Sequence, residues 1–286
     1  MSATHWQCGR FVLDLHKTVV MGVVNITPDS FSDGGRYAST DQAIAQAHRL
    51  IEEGAQIIDL GAESTRPGAT PVNDAQELAR ILPVMEALRD SGVVLSVDTS
   101  KPNVMRTVLQ MGADLINDIS GLRHPEARAI VAGHKTCGVC VMHMQGTPAT
   151  MQISPQYGDV VADVFDELRS TARSLQADGI AADRISLDPG FGFGKSVHHN
   201  LTLMRHLSEL VASGYPVTVG VSRKSMLGAI TGRSVDQRLV GSVAAMLVLV
   251  ARGAQIVRVH DVQETVDALR VWDAVNFGWK QEESIP

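Results

Sequence analysis

Polar residues of matching chemistry recur at the ends of short apolar runs along this chain. In order they are Asn25, Glu63–Ser64–Thr65–Arg66, Asp98, Asn117–Asp118, Met142–His143, Asp188, Ser222–Arg223–Lys224, and Arg258 with His260. Any one such Asp or Asn can cap the helix that follows it, but eight successive runs ending this way call for a shared purpose. Arg66, Lys224, Arg258 and His260 suit an anion with several oxygens, a phosphate or diphosphate, through charge-assisted hydrogen bonds. Asp98, Asn117 and Asp188 offer the hydrogen-bond complement of a flat heterocycle bearing N–H donors and a carbonyl. The cations are thus expected to stand apart from the carboxylates, around a heterocycle joined to a phosphoryl group. Arg258 is the sharpest sign, because it interrupts QIVRVH, where a structural strand would carry an apolar side chain.

The elements that must position these residues follow from the hydrophobic pattern. Val19–Asn25, Gln56–Gly61, Val93–Asp98, Asp114–Ile119, Gly138–His143, Arg184–Asp188, Pro216–Ser222 and Gln255–His260 are short and almost continuously apolar, as parallel strands covered on both faces must be. Helical periodicity fills the intervals, over Asp41–Glu53, Asn73–Asp90, Pro102–Met111, Pro125–Ala132, Val160–Ala177, Asn200–Val211, Val235–Ala251 and Val262–Val275. Several of these segments close on a glycine, as at Gly54, Gly92 and Gly253. Strict alternation of eight strands with eight helices predicts an α/β fold. Its economical form is a single-domain, eight-stranded parallel (β/α)8 TIM barrel, in which all C-terminal strand ends share one mouth. A doubly wound open sheet uses the same alternation and is the architectural alternative. Arg10–Leu15 reads as an extra strand, giving a capping segment over 1–18, a barrel over 19–276 and a tail over 277–286.

Two stretches read as covers for the mouth. NITPDSFSDGGRY (25–37) and AESTRPGATPV (62–72) are rich in Gly, Pro, Ser and Thr and follow the first two strands, where long loops in compact barrels are usually functional. Phe31, an aromatic in a polar loop, is expected to meet ligand. GFGFGKS (190–196) imitates a phosphate loop, but Pro189 stands where that pattern needs its first glycine. It reads instead as a permissive turn offering Phe191 and Phe193 for stacking. His134, Cys137, Cys140 and His143 imitate a zinc set, yet strand periodicity sends Cys140 and His143 to opposite faces, so buried thiols are expected.

Composition removes other classes. The chain has 286 residues, 44% hydrophobic and 20% charged, with a net charge of −6. It is too apolar for a disordered tail and carries no global basic field for nucleic acid or an acidic membrane. The longest apolar run, Val243–Ala251, is about half of what a membrane span needs. It is apolar around most of a helix, which points to a packed partner and a homodimer. Three cysteines, and an N-terminus interrupted by Arg10 and Asp14, lead to the expectation of a cytoplasmic protein without a secretory signal.

MGVVNITPDSFSDGG, GAESTRPGA, SVDTSK, INDISG, MHMQGTP, LDPGFGFGK, GVSRKS and VRVHDV occur in that order from Met21 to Val262. Together they resemble the dihydropteroate synthase family of folate biosynthesis, pterin-binding enzymes that join 6-hydroxymethyl-7,8-dihydropterin diphosphate to p-aminobenzoate and release diphosphate. The resemblance implies that Asp98, Asn117, Asp188 and Lys224 hold the pterin, with Met142 and Phe193 packed beside it. It implies diphosphate contacts from Asn25, Thr65, Arg66, Arg258 and His260, and a Mg2+ ion contacted by Asn25. Phe31, Thr65, Pro67, Ser222 and Lys224 would line the p-aminobenzoate site, where sulfonamides compete in this family. Asp98, Lys224, Arg258 and His260 are then the expected catalytic residues. Two alternatives share the barrel and the carboxylate pocket: a pterin-dependent corrinoid methyltransferase and a non-catalytic pterin-binding paralogue. Intact loop motifs and the cation set favour the synthase.

Overall fold

A computed structural model of the chain describes residues 2–26, 35–64 and 71–278, with 35–39 as backbone only. The barrel strands are β3 (Val19–Asn25), β4 (Ile57–Gly61), β5 (Val94–Asp98), β6 (Leu115–Asp118), β7 (Gly138–Met142), β8 (Ile185–Asp188), β9 (Thr218–Val219) and β10 (Ile256–Val259). They form one parallel sheet in the order β8-β7-β6-β5-β4-β3-β10-β9. A parallel bridge between Leu187 and Val217, with Leu187 N–H donating to Pro216 O at 2.9 Å, joins the two ends. The open-sheet alternative is thereby set aside. β9 is far shorter than the predicted Pro216–Ser222, although its flanks follow the same extended path and Val217 O accepts from Gln255 N–H.

The helices are α1 (Gly35–Glu52), α2 (Asp74–Leu88), α3 (Pro102–Gln110), α4 (Pro125–Gly133), α5 (Val160–Ala177), α6 (Val197–Arg205), α7 (Leu207–Val211), α8 (Ser225–Thr231), α9 (Leu239–Val250) and α10 (Val262–Phe277). The predicted Asn200–Val211 helix is two pieces, because His206 leaves helical geometry (φ −102°, ψ 10°). It also starts earlier than predicted: Ser196 caps it in a capping box closed by His199 instead of the usual Glu or Gln. α8 was not expected, since seven residues with Gly228 in the middle give little helical signal.

Alternation along each strand builds two layers of different character. Outward residues such as Val20, Val24, Ile58, Leu60, Leu95 and Val97 pack with the helices in the main core. Inward residues change polarity along the barrel axis. On β4 they run Ile57, Asp59, Gly61; on β5 Val94, Ser96, Asp98; on β10 Ile256 and then Arg258. Parallel register places Asp59 beside Ser96 and Asp98 beside Asn117. The lower interior is therefore apolar and the upper interior polar.

An N-terminal hairpin closes the apolar end. β1 (His5–Cys8) pairs antiparallel with β2 (Phe11–Asp14), Trp6 opposite Leu13. β2 is the predicted extra strand; β1, only four residues long, gave no clear pattern. Trp6 is fully buried against Met21, Ile57, Val94, Leu115, Cys140 and Ile256, and its indole N–H donates to Arg184 O at 3.1 Å. Arg10 clamps the hairpin to β6 by donating Nε and Nη2 to the two Asp114 oxygens, each at 3.0 Å. Replacing Trp6→Ala leaves a cavity at the barrel floor and should cost about 3–5 kcal/mol, read from urea unfolding. A loss below about 1 kcal/mol would mean that the floor collapses around the gap and the plug is dispensable.

Candidate active site

The polar interior is organised around one guanidinium. Arg258 donates Nε to Asp59 Oδ2 at 2.6 Å and Nη2 to Asp98 Oδ2 at 2.9 Å. Asp59 is fully buried and also accepts from Ser96 Oγ at 2.5 Å and from Asn117 Nδ2 at 3.1 Å. Burial alone would lower the Arg258 pKa, but the Asp59 and Asp98 carboxylates outweigh it and raise the value. Asp98 moves the other way for a carboxyl. Burial pushes its pKa up to about 7, Arg258 opposes the shift, and the Asp59 and Asp118 charges add to it. With a folded value above the unfolded one, ionising Asp98 costs stability as pH rises from about 4 towards 7. A ligand that donates hydrogen bonds to Asp98 would relieve that cost.

A second buried pair lies across the barrel. Asp188 Oδ1 accepts from Gly190 N–H at 2.7 Å, and burial raises its pKa against the pull of Lys224. Lys224 donates to Phe191 O, and its Nζ sits 4.6 Å from the Phe193 ring centroid. Burial lowers its pKa to about 8. Met142 and Phe193 share a small apolar cluster with Ile119, Met144 and Met151. Phe193 thus borders the polar interior. Phe191 does not: it is fully buried in the outer core and offers no stacking face.

At the rim, His260 N–H and ring Nδ1 both lie against Ser222 Oγ, at 3.3 and 3.1 Å. Burial first, and then the charges of Arg258 and Arg223, lower the His260 pKa to about 4, so the ring is neutral near pH 7. Arg223 adopts a left-handed φ of +60°. Its ion pair with Asp261, its N–H on Ser242 Oγ and its carbonyl on Arg238 hold this turn. The turn sends Ser222 and Lys224 into the mouth while Arg223 points away.

The expected segregation of cations from carboxylates is therefore not found for Arg258, which is committed to two carboxylates. Phe31, Thr65, Arg66 and Pro67 lie outside the described residues. The base of the 65–70 segment is nevertheless defined on both sides. Glu63 Oε1 accepts from Val72 N–H at 3.0 Å, and Glu63 also pairs with Lys101, which pairs in turn with Glu77 on α2. Arg80 donates to Ala62 O at 2.7 Å.

Sequence reasoning passed over Asp59, although a carboxylate at an inward position of QIIDLG carries the same signal as Arg258. It also passed over Lys195, the lysine of the rejected phosphate-loop match. Cys140 lies in the lower interior and His143 on the opposite strand face beside Glu167. Among the described residues no group of three His, Cys, Asp or Glu side chains could hold a metal. Asn25 ends β3 next to Gly61, where a Cβ would stand 3.8 Å from Asn25 Oδ1 and 3.9 Å from Asp98 Oδ2. The missing side chain leaves a small oxygen-lined cradle at the mouth.

Residues 21–260 match the family described as pterin binding enzyme. The dihydropteroate synthase of Neisseria meningitidis serogroup C is 52% identical, over 95% of this chain and 98% of its own length. A crystal structure of Burkholderia cenocepacia dihydropteroate synthase complexed with 7,8-dihydropteroate superposes with a TM-score of 0.88 at 50% identity, covering 97% of this chain and 98% of that one. The Xanthomonas albilineans enzyme with 4-aminobenzoic acid gives 0.90 at 45% identity, with full coverage of both chains. With its barrel, its buried carboxylate pocket and these full-length relatives, the chain belongs to the pterin-binding enzyme family, in its dihydropteroate synthase group.

Proposed function

We propose that this chain transfers the pterinylmethyl group of 6-hydroxymethyl-7,8-dihydropterin diphosphate to p-aminobenzoate, giving 7,8-dihydropteroate and diphosphate. The observation that carries this reading is the set of carboxyl and amide groups around Arg258, the buried Asn117 and Asp188 with the partly buried Asp98. Such a surface complements the N–H-rich edge of a pterin. Asp188 and Asn117 would read the ring edge, with Lys224 at the ring carbonyl and Met142 and Phe193 against its faces. Residues 19–276 would act as one pterin-binding unit capped by the hairpin.

The chemistry needs a leaving group and little else. The methylene C–O bond breaks, its electron pair leaves with diphosphate, and the dihydropterin delocalises the positive charge. Asp98, ionised once a ligand offers it hydrogen bonds, stabilises that charge at short range. Arg258 would meet the departing oxygens from the barrel interior and His260 from the rim, with Thr65 and Arg66 as further diphosphate contacts. His260 is neutral in the empty site, so it greets the anion as a hydrogen-bond donor and gains a proton more readily once the anion is bound. The aromatic amine then attacks the methylene and releases its own proton; a strong general base is not required. Phe31, Thr65, Pro67, Ser222 and Lys224 would shape the p-aminobenzoate site.

Mg2+ fits this arrangement in one way. A lone amide oxygen, Asn25 Oδ1, beside the cradle at Gly61 suits a hard cation whose remaining ligands are phosphate oxygens and water. When bound, the ion would supply charge neutralisation for the leaving diphosphate.

We further propose a cytoplasmic homodimer. No helix among the described residues is long and apolar enough to cross a membrane. On α9, Val240 and Val248 are 79% and 42% exposed, and on the neighbouring α10 Val271 and Val275 are 66% and 79% exposed. These four valines leave an apolar surface that a second copy would cover.

Incubation of the two substrates with Mg2+ should yield dihydropteroate and diphosphate in equal amounts. Asp188→Ala and Arg258→Ala should each lower kcat/KM by about two to three orders of magnitude, the scale for removing one charged stabiliser. Tight pterin binding without turnover would point instead to the corrinoid or binding-only readings. Val248→Asp should halve the mass seen in sedimentation, and a variant that stays dimeric would exclude this surface.

A further inference from the structure

The segment joining β8 to α6 forms one wall of the pterin site, and its backbone is held almost entirely by side chains. Phe191 O accepts from Lys224, Gly192 O from Gln152 at 2.7 Å, and Gly194 O from Tyr157 at 2.7 Å. Two more carbonyls, Gly190 O and Phe193 O, accept from Lys195 Nζ at 3.1 and 2.9 Å, and Gly190 O also accepts from Phe193 N–H at 3.1 Å. The same amine reaches His143 O at 3.2 Å and His143 Nδ1 at 2.9 Å. Lys195 is 3% exposed and has no carboxylate within ion-pair distance among the described residues. Four acceptors around one nitrogen match an ammonium with three donors better than a neutral amine with two.

The compensating charge lies further out. Burial lowers the His143 pKa, and because an ammonium can only donate, Nδ1 accepts from Lys195 and the ring proton sits on Nε2. Nε2 faces Glu167 Oε2 at 3.5 Å. The His143 hydrogen bond and the Arg123 guanidinium hold the Glu167 carboxyl at a pKa of about 2, against its burial. The line from Lys195 through His143 to Glu167 therefore runs from the back of the site to the outer surface of the barrel on α5. Gly190, at φ +66°, is pressed against this line: a Cβ there would lie 2.0 Å from His143 O.

We propose that Lys195 is a positioning residue for the pterin site: through His143 its buried charge is balanced by Glu167, and through Gly190 O and Phe193 O it fixes the wall that holds Phe193 and Lys224. This inference rests on the proposed reaction and deepens it. The groups facing Lys195 are Asp188 from β8, Lys224 from the β9–α8 turn, His143 from β7, Glu167 from α5 and His199 from α6, with Arg123 behind Glu167. Burial lowers the Lys195 pKa to about 7, Asp188 and Glu167 work against that, and Lys224 adds to it. Removing the Glu167 charge therefore lowers the value further, and the charged form is lost at a lower pH.

Glu167→Gln is the test, because Glu167 is half exposed and touches no part of the pterin pocket. Expected is a KM for the pterin diphosphate raised about three- to tenfold, the scale of one lost charge-assisted contact acting through a neighbour. The kcat should stay within about twofold, and the alkaline limb of kcat/KM should move to lower pH, with Glu167→Asp restoring both the KM and the limb. Lys195→Met should show the larger effect in the same direction, with weaker quenching of pterin fluorescence as a readout free of turnover. A Glu167→Gln enzyme with wild-type KM values and an unmoved limb would overturn the inference, as would a folded Lys195→Met enzyme with wild-type pterin affinity. Wild-type protein that bound pterin but made no dihydropteroate would overturn the reaction instead, leaving the fluorescence comparison to decide the role of Lys195.

Discussion

The site depends on placing a guanidinium inside a barrel. Arg258 would be too costly to bury alone, and so would Asp59 and Asp98. Set between the two carboxylates, it allows three charged groups to occupy space that water would otherwise fill. The remaining lone pairs of Asp59 go to Ser96 and Asn117, so the inner partner is satisfied. Asp98 is the outer partner, and burial pushes its carboxyl up to about 7 against the pull of Arg258, with the Asp59 charge adding to the shift. An uneven pairing of this kind keeps Arg258 rigid and leaves Asp98 responsive to what binds.

The rest of the architecture serves that arrangement. Trp6 and the hairpin fill the opposite end of the barrel, so the polar upper interior rests on a dry floor. The left-handed turn at Arg223 aims Ser222 and Lys224 across the mouth. Glu63, Lys101 and Glu77 clasp the base of the 65–70 segment. The last two devices each hold one side of the mouth by an interaction outside the pocket, which lets the pocket residues keep hydrogen-bonding capacity for a ligand.

Much of this was legible because parallel strands buried on both faces leave long apolar runs, against which a single Asp or Arg stands out. Asp98, Asn117, Asp188 and Arg258 were readable for that reason, and their shared mouth followed from the strand count. What a linear pattern does not display is pairing. Nothing near Arg258 in sequence reveals that it binds Asp59, 199 residues away, so the sequence offers an anion contact there without showing the carboxylates that hold it in place. Short elements were missed on similar grounds. β1 and α8 carry too few residues for a period, and are placed by the barrel floor and by α9 and α6. Lys195 sat inside a motif rejected for one function, and its actual partners, His143 and the carbonyls of its own loop, are assembled only by the fold.

In the proposed reaction this interior promotes departure of diphosphate before the amine attacks, with Asp98 and Arg258 on either side of the separating charge. The most direct measurement uses a heavy-oxygen label in the bridge between methylene and diphosphate, with protein and Mg2+ present and p-aminobenzoate absent. Reversible cleavage predicts that the label scrambles into the non-bridging positions of the adjacent phosphate, and that scrambling disappears in Asp98→Ala. Retention of the label in the bridge until p-aminobenzoate is added would overturn this order and require the amine to take part in breaking the bond.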